Sequence, residues 1–352
     1  MTTLATLTVP HDPFTLAVRR HRRVFYALSL LALLLMGANL AIGSIDYSLG
    51  QVVSALLDPG ATNDLGFIVW KIRLPRVLAA AMGGAYLAAS GLLLQVYFRN
   101  PIVGPFILGI SSGATVVVSI VMLTATGMQM AFATPFLTTF AGCIGAYAVM
   151  LIIVTVAARV RNGATLLIVG LMMGYLCGAV ASILTALAEK GKIKGFVLWT
   201  MGSFSGFKWV EIGILFFFGG AILLSIYLLS KPLNAFLLGE DYAASMGVAI
   251  RRFRLFILLA ASSLAGLVTS MAGPVAFVGL AVPHMARLSF GTSDNRVLVP
   301  GAALMGAAVT SLCDLIARMW LNPVELPLSA ITAFFGAPIV IWLLLKRRGA
   351  RL

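Results

Sequence analysis

The sequence predicts an all-α membrane protein with about ten transmembrane helices, and three observations support this fold class. Of the 352 residues, 61% are hydrophobic and 10% are charged, whereas about 25% of the residues in soluble domains are charged. The mean hydropathy is +1.03. Apolar runs of about 20 residues, long enough to cross about 30 Å of hydrocarbon as helices, recur along the whole chain. They leave no room for a soluble domain of useful size.

Ten spans follow from these apolar runs and from the charged or Pro/Gly-rich breaks between them. They are expected at about 24–43, 76–97, 105–125, 133–157, 164–187, 209–229, 254–272, 275–290, 298–317 and 329–345. Residues 1–23 form a basic N-terminal segment, and 24–352 form a single transmembrane domain. The first run resembles a signal peptide, but no clear cleavage site follows it, so we interpret it as a retained helix.

The net charge of +14 would suggest nucleic acid as a partner for a soluble protein. In a membrane protein, an excess of Lys and Arg in the cytoplasmic loops explains it better, and we expect no nucleic-acid partner. Basic clusters at 19–23, 251–254 and 346–351 fall on one side of the predicted topology. This bias predicts that both termini are cytoplasmic, which requires an even number of spans.

Small residues indicate close helix packing. Ala80, Gly84 and Ala88 are four residues apart, and Gly91 follows one turn later, a spacing that lets membrane helices approach closely. Proline and glycine also interrupt the chain at 99–113 and 271–284. Such breaks at matching places in two halves are typical of inverted repeats in transporters, although ordinary loops would produce the same residues.

Several kinds of chemistry have no motif in this sequence. It contains no GxxxxGK[ST], HExxH or GxSxG motif. The three histidines are scattered, and Cys143, Cys177 and Cys313 lie within apolar runs, where we expect small buried side chains and no metal site. No acidic residue lies near the middle of a span, where an ion-coupled carrier needs one. We therefore expect neither an enzyme nor a bound cofactor, and an energy source outside this chain.

Four long motifs resemble the FecCD-type permeases, subunits of type II ABC importers for ferric siderophores, haem and cobalamin. They are "RLPRVLAAAMGGAYLAASGLLLQVYFRNPIVGPFILGISSGA" (73–114), "LGEDYAASMGV" (238–248), "GPVAFVGLAVPHMAR" (273–287) and "ELPLSAITAFFGAPIVIWLL" (325–344). They occur in the family's order, and the resemblance covers roughly residues 67–347.

The resemblance implies a ten-helix permease subunit in a bacterial or archaeal cytoplasmic membrane. It implies a homodimer with a central pore, two ATPase subunits that bind ATP and Mg²⁺, and a periplasmic or lipid-anchored substrate-binding protein. An iron chelate, either siderophore or haem, is the first expectation for the cargo; cobalamin is second, and molybdate is a further alternative. A secondary carrier would instead need a coupling ion, and a membrane enzyme would need a clustered acid, base or metal site.

The segment 233–254, "LNAFLLGEDYAASMGVAIRRFR", is an amphipathic interruption between two spans. By the resemblance, residues 233–250 are the coupling helices that rest on the ATPase, and the candidate residues are Leu237, Leu238, Gly239, Glu240, Asp241, Ala244, Met246 and Gly247. The apolar members can anchor a short helix, and the two acids suit its positive N-terminal end. The alternative is an interfacial helix that only seals the bundle.

Three arginines are expected on the outer side, against the charge bias. By the resemblance, Arg73, Arg76 and Arg318 form salt bridges with glutamates of the binding protein, for which the planar guanidinium fork is suited. The alternatives are snorkelling toward the membrane interface and, for Arg318, an i, i+4 pair with Asp314.

Two short segments fall where the family has its cytoplasmic gates. The candidate gate residues are Asn100, Ile102, Gly163 and Ala164, although Asn-Pro and Asn-Gly are also common in plain turns. His284, in "VPHMAR", could be considered as a haem ligand, but we interpret it as a locally satisfied side chain, because its motif is shared by family members with different substrates.

Overall fold

A computed structural model describes residues 13–43, 45, 47–58, 60, 63–124, 135–157 and 163–349. Most of these residues are helical, and the only pairing of extended backbone among them is an isolated bridge between Leu321 and Val324. The all-α fold class is therefore confirmed. Residues 1–12 of the expected basic segment, and 158–162 before the second gate pair, lie outside the described residues.

The described residues form the following helices. They are α1 (Pro13–Ala41), α2 (Leu49–Leu57), α3 (Asp64–Tyr97), α4 (Ile110–Leu123), α5 (Pro135–Ala157), α6 (Gly163–Leu187), α7 (Lys190–Thr200), α8 (Trp209–Leu228), α9 (Ser230–Leu238), α10 (Glu240–Ser245), α11 (Ile250–Ala272), α12 (Val278–Phe290), α13 (Asn295–Met319) and α14 (Leu328–Gly349). Short π-helical turns lie within α3 and α8.

Each of the ten expected spans coincides with one of these helices. Seven of them, namely α1, α3, α5, α6, α8, α11 and α13, are long and apolar enough to cross a membrane by themselves. The helices α4 and α12 are shorter, because irregular backbone precedes each of them. Gly109 has a φ of +72° and Phe277 a φ of +64° at these two starts, so the breaks expected at 99–113 and 271–284 are present.

Two helices outside the expected spans were missed because they are short. The first, α2, begins with a capping box in which Ser48 and Gln51 each bond the other's backbone N–H. This Ser-x-x-Gln pattern is a sequence signal for a helix start and could have identified α2. The second, α7, begins after Glu189 with three lysines among its first residues, and the hydropathy criterion therefore passed over it.

Side-chain contacts distinguish the two ends of the bundle. At one end, Arg20 of α1 donates to the carbonyl oxygens of Leu288 and Ser289, where α12 finishes, and α9 contacts the start of α13. At the other end, Arg73 contacts the last carbonyl groups of α1, near α2. We name these the α10 end and the α2 end. The basic stretch before residue 24 is part of α1, so no structural boundary separates it from the first span.

The bundle is built around α3, which packs against α11, α12 and α13. Most of its side chains are buried. A Cβ atom added to Gly84 would overlap the backbone of Gly306, and one added to Gly91 would overlap the carbonyl oxygen of Gly279. The small-residue face expected from the sequence therefore brings backbones into direct contact, as it does in other tightly packed membrane helices.

We expect Gly91→Ala to lower the stability of the folded chain by about 1–3 kcal/mol, the usual cost of overpacking. The added methyl group can fit only if α3 and α12 move apart. Thermal unfolding of the purified protein in detergent measures this effect. Gly37→Ala in α1 is the matched control, because nothing lies within 4 Å of the added methyl group there. Equal midpoints for the two variants would contradict the close contact.

Candidate functional site

The principal candidate site is the pair of short helices α9 and α10, which join α8 to α11. Gly239 lies between them with a φ of +142° and a ψ of 151°, a backbone conformation that favours glycine. Gly247, with a φ of +83°, follows α10. These two glycines produce the sharp changes of direction that make two short helices out of one amphipathic segment.

Buried aromatic and aliphatic side chains fix α9 to the bundle. Leu233 and Phe236 are fully buried. The ring of Phe236 lies 6.2 Å from that of Tyr97, at the end of α3, and 5.8 Å from that of Phe253 in α11. The guanidinium group of Arg99 lies over the same ring. The helix α9 therefore rests on two of the long membrane helices.

Polar contacts join the segment to α11 and α13. The guanidinium of Arg254 binds Glu240 through two hydrogen bonds, one of them 2.9 Å from Nε to Oε1. The side chain of Asn234 donates to Asp294 at 2.6 Å and accepts from the backbone N–H of Asn295 at 2.8 Å. A displacement of α9 and α10 would therefore pull directly on α11 and α13.

The outer face of the segment is apolar and exposed. Leu238, Tyr242 and Met246 follow one another at intervals of four residues, and their exposed fractions are 72%, 47% and 65%. Asp241 is exposed beside them. We name Leu238, Tyr242 and Met246 the contact face. Exposed large apolar side chains next to charged residues are typical of a surface that binds another protein or of a helix at the membrane interface.

The expected anchoring residues are partly wrong. Leu238, Ala244 and Met246 are exposed, whereas Leu233, Phe236 and Ala243 are buried and were missed. Leu237 is half-buried and does pack against the core. The spacing of Leu233 and Phe236 on one side of α9 was the available signal. Which side faced the bundle depended on contacts with α3 and α11 that no local pattern specifies.

The three arginines expected to bind a partner protein are buried at the α2 end. Their exposed fractions are 4% for Arg73, 7% for Arg76 and 8% for Arg318. Arg73 donates to the carbonyl oxygens of Leu40 and Ala41 at 2.7 and 2.8 Å. It thereby satisfies backbone groups that the end of α1 would otherwise leave without partners.

Arg76 binds two carboxylates from distant parts of the chain. Its Nη2 lies 2.9 Å from Oδ1 of Asp314 and is also hydrogen-bonded to Glu325. Arg318 donates instead to the backbone oxygen of Asn39 at 2.9 Å. The alternative pair of Arg318 with Asp314 is wrong, because Asp314 points across to α3. Snorkelling does not describe these buried groups either.

The first pair of gate candidates lies in the loop between α3 and α4. The side-chain oxygen of Asn100 accepts from the backbone N–H of Ile102 at 3.0 Å, which is the geometry of an Asx turn. Ile102 is 39% exposed. Gly163 and Ala164 begin α6, but their exposure and contacts lie outside the described part. A gating role for these four residues stays a prediction.

Among the described residues, no three His, Cys, Asp or Glu side chains come together as a metal site. Cys177 and Cys313 are buried and Cys143 is half-buried, all as free thiols. A cavity of about 180 Å³ between α4, α6 and α7 is bordered by uncharged groups that include Ser111, Ser112 and Thr115. Cys177 also borders this cavity, as its single thiol.

These features define a class of protein. They are a bundle of helices, seven of them long and apolar enough to cross a membrane, with an exposed amphipathic segment at one end. The sequence profile of the FecCD transport family matches residues 30–346. The chain belongs to this family, as its four motifs predicted.

Named relatives agree with this assignment. The chain is 34% identical to the hemin transport system permease protein HmuU of Yersinia pestis over 91% of this chain and 96% of the relative. It is also 34% identical to the vitamin B12 import system permease protein BtuC of Klebsiella pneumoniae, over 97% and 98%. A solved structure described as an inward-facing conformation of a metal-chelate type ABC transporter superposes with a TM-score of 0.78 at 27% identity, covering 93% of this chain and 99% of that one.

Proposed function

We propose that this chain is the permease subunit of an ATP-driven importer whose cargo is a metal chelate. A ferric siderophore or haem is the first candidate, and cobalamin is the second. The hemin and vitamin B12 permeases among the relatives support both. The observation that carries the proposal is the contact face of Leu238, Tyr242 and Met246, because it presents an exposed apolar surface on helices fixed to the bundle.

The proposed assembly contains two copies of this chain, two ATPase subunits and one substrate-binding protein. The ATPases bind ATP and Mg²⁺, since the sequence has no phosphate-binding loop. We infer that they bind the α10 end from the cytoplasm. Arg19, Arg22 and Arg23 in α1 and Arg251 and Arg252 in α11 are exposed at that end, and an excess of basic residues is typical of the cytoplasmic side.

The contacts of α9 and α10 suggest how ATP binding changes access to the pore. A shift of the ATPase moves the contact face. The Glu240–Arg254 pair transmits this shift to α11, and the Asn234 contacts transmit it to α13. The permease then changes conformation without chemistry of its own. Glu240 is in this account a positioning residue, whereas the exposed Asp241 is free to face the ATPase.

The binding protein is proposed to dock at the α2 end. Arg73 and Arg76 hold this surface through their contacts with α1 and α13. Of the three arginines, Arg318 retains donor capacity, because its Nε has no partner within the described structure. Because this Nε is buried, a glutamate of the binding protein would reach it only after the α2 end rearranges. The cytoplasmic gates of Asn100, Ile102, Gly163 and Ala164 belong to the same proposal.

Reconstitution into proteoliposomes tests the function. We expect uptake of haem or a ferric siderophore only when the ATPase, the binding protein and ATP are all present, because the permease has no energy source of its own. Binding measurements on the binding protein, with haem, siderophores and cobalamin in parallel, identify the cargo. Uptake by the purified permease alone, driven by an ion gradient, would instead support the secondary carrier.

A further inference from the structure

The cluster of arginines at the start of α1 is divided between two faces of the helix. Arg20 points toward α12, where its Nη2 donates to the carbonyl oxygens of Leu288 at 2.8 Å and Ser289 at 2.9 Å. A cation at the C-terminal carbonyl groups of a helix is favourable. Arg19, Arg22 and Arg23 are exposed, and with Val18 and Tyr26 they border one open surface of the helix.

The exposed arginines begin a stripe that continues along one side of α1. Its members lie 0, 3, 4, 7, 11, 14 and 15 residues beyond Arg19, a spacing that places them on the same helix face. In order, they are Arg19, Arg22, Arg23, Tyr26, Leu30, Leu33 and Leu34. Tyr26 is 65% exposed and the three leucines 59%, 66% and 62%. The stripe is about 22 Å long at the usual rise per residue and passes from charged through aromatic to aliphatic side chains.

We propose that this stripe is a binding site for an anionic phospholipid, with the phosphate at Arg19, Arg22 and Arg23 and an acyl chain along the leucines. The order of the side chains matches the order of groups in such a lipid. Guanidinium groups bind phosphate oxygens in bidentate fashion. Tyrosine is typical of the level between headgroup and hydrocarbon, and the guanidinium of Arg22 lies 5.7 Å from the ring centroid of Tyr26.

The charge of the stripe favours an anionic headgroup over a zwitterionic one. The residues 13–41 of α1 contain no Asp or Glu, so the helix offers no carboxylate to the ammonium group of phosphatidylcholine. A free phosphate ion would use the arginines but not Tyr26 or the leucines. A soluble protein could contact the arginines but not the leucines, because the leucines lie 11 to 15 residues beyond Arg19 and therefore within the membrane. The lipid is the occupant that uses the whole stripe.

Native mass spectrometry of the purified permease tests the proposal. The protein in detergent is titrated with equal amounts of phosphatidylglycerol and phosphatidylcholine, and the bound fractions are compared. We expect the wild type to prefer phosphatidylglycerol and the triple variant Arg19→Gln, Arg22→Gln, Arg23→Gln to lose that preference by about tenfold or more, because each basic residue near an anionic lipid contributes substantially. Inorganic phosphate at the same concentration should not displace the lipid.

Two controls separate this site from general charge effects. The triple variant Lys231→Gln, Arg251→Gln, Arg252→Gln removes three exposed charges from the same end, and its lipid preference should equal that of the wild type. Arg20→Gln should lower the unfolding midpoint and keep the preference. The proposal is overturned if the Arg19, Arg22 and Arg23 variant keeps its preference, if both triple variants lose it equally, or if the variant loses only its association with the ATPase.

Discussion

Replacing Leu238 and Met246 with aspartate is expected to reduce ATP-driven uptake to background while the bundle stays folded. Both side chains are largely exposed in the isolated subunit, so the change removes little internal packing. In the assembly, the same side chains would be buried against the ATPase, and burying an unpaired carboxylate is strongly unfavourable. Co-purification with the ATPase and uptake by proteoliposomes measure the two consequences.

The matched control for this variant is Leu57→Asp in α2. Leu57 is 80% exposed, but it lies at the α2 end, away from the proposed ATPase. We expect this variant to bind the ATPase normally and the double aspartate variant to lose it. If both variants bind the ATPase equally well, the contact face is not the site of ATPase binding. That result would favour the alternative, in which the segment is an interfacial helix that only seals the bundle.

Exchanging Glu240 and Arg254 separates binding from transmission. Glu240→Arg alone should retain ATPase binding but lose coupling, because it places two cations where α10 meets α11. Adding Arg254→Glu restores an ion pair, and part of the coupling should return. The ratio of ATP hydrolysed to cargo imported measures coupling. Normal coupling in Glu240→Arg would show that movement reaches α11 by another route.

Replacing Asp314 with alanine is expected to cause a large loss of stability, about 3–5 kcal/mol, as when one partner of a buried ion pair is removed. Asp314 is 1% exposed and Arg76 is 7% exposed. The variant would leave the guanidinium of Arg76 with Glu325 as its remaining carboxylate, and the Glu325 side chain is 37% exposed. Thermal unfolding in detergent measures the loss, and Asp314→Asn is the milder variant should alanine fail to fold.

The double variant Arg76→Met, Asp314→Leu is the control for this prediction. It removes both charges and fills the space with apolar groups, a replacement that is often neutral or stabilising. We expect the double variant to unfold at a higher temperature than Asp314→Ala. Glu325→Gln should lower the unfolding midpoint less than Asp314→Ala does, because that carboxylate is partly in water. An unfolding midpoint for Asp314→Ala equal to that of the wild type would contradict a structural role for the pair.

The sequence was sufficient to predict the fold, because the apolar runs that form the spans are local and each was found at its expected position. Helices α2 and α7 were missed because α2 has only nine residues, too few for a hydropathy window, and α7 contains three lysines. The close contacts of Gly84 and Gly91 were also foreseeable, since small residues at helical spacing are the usual means by which membrane helices approach one another closely. The family was predicted separately, from the resemblance of four long motifs to the FecCD-type permeases.

The candidate sites were harder to predict because their partners are distant in sequence. Arg76 and Asp314 are separated by 238 positions, and Arg318 and Asn39 by 279. The order of the predicted spans placed these arginines on the outer side, against the charge bias, but could not show that they are buried. For the same reason, the segment 233–250 was located correctly while the assignment of its buried and exposed faces was partly wrong.

The glycine contacts restrict how a conduit of this kind can move. Gly84 and Gly91 hold α3 against α13 and α12, and Gly113 and Gly145 hold α4 against α5 in the same way. Helices whose backbones touch cannot slide past one another without breaking many close contacts at once. We therefore expect opening and closing to occur by rigid-body rotation of groups of packed helices. The hinges would lie in the segments that connect these groups and at the interface with a second copy of the chain.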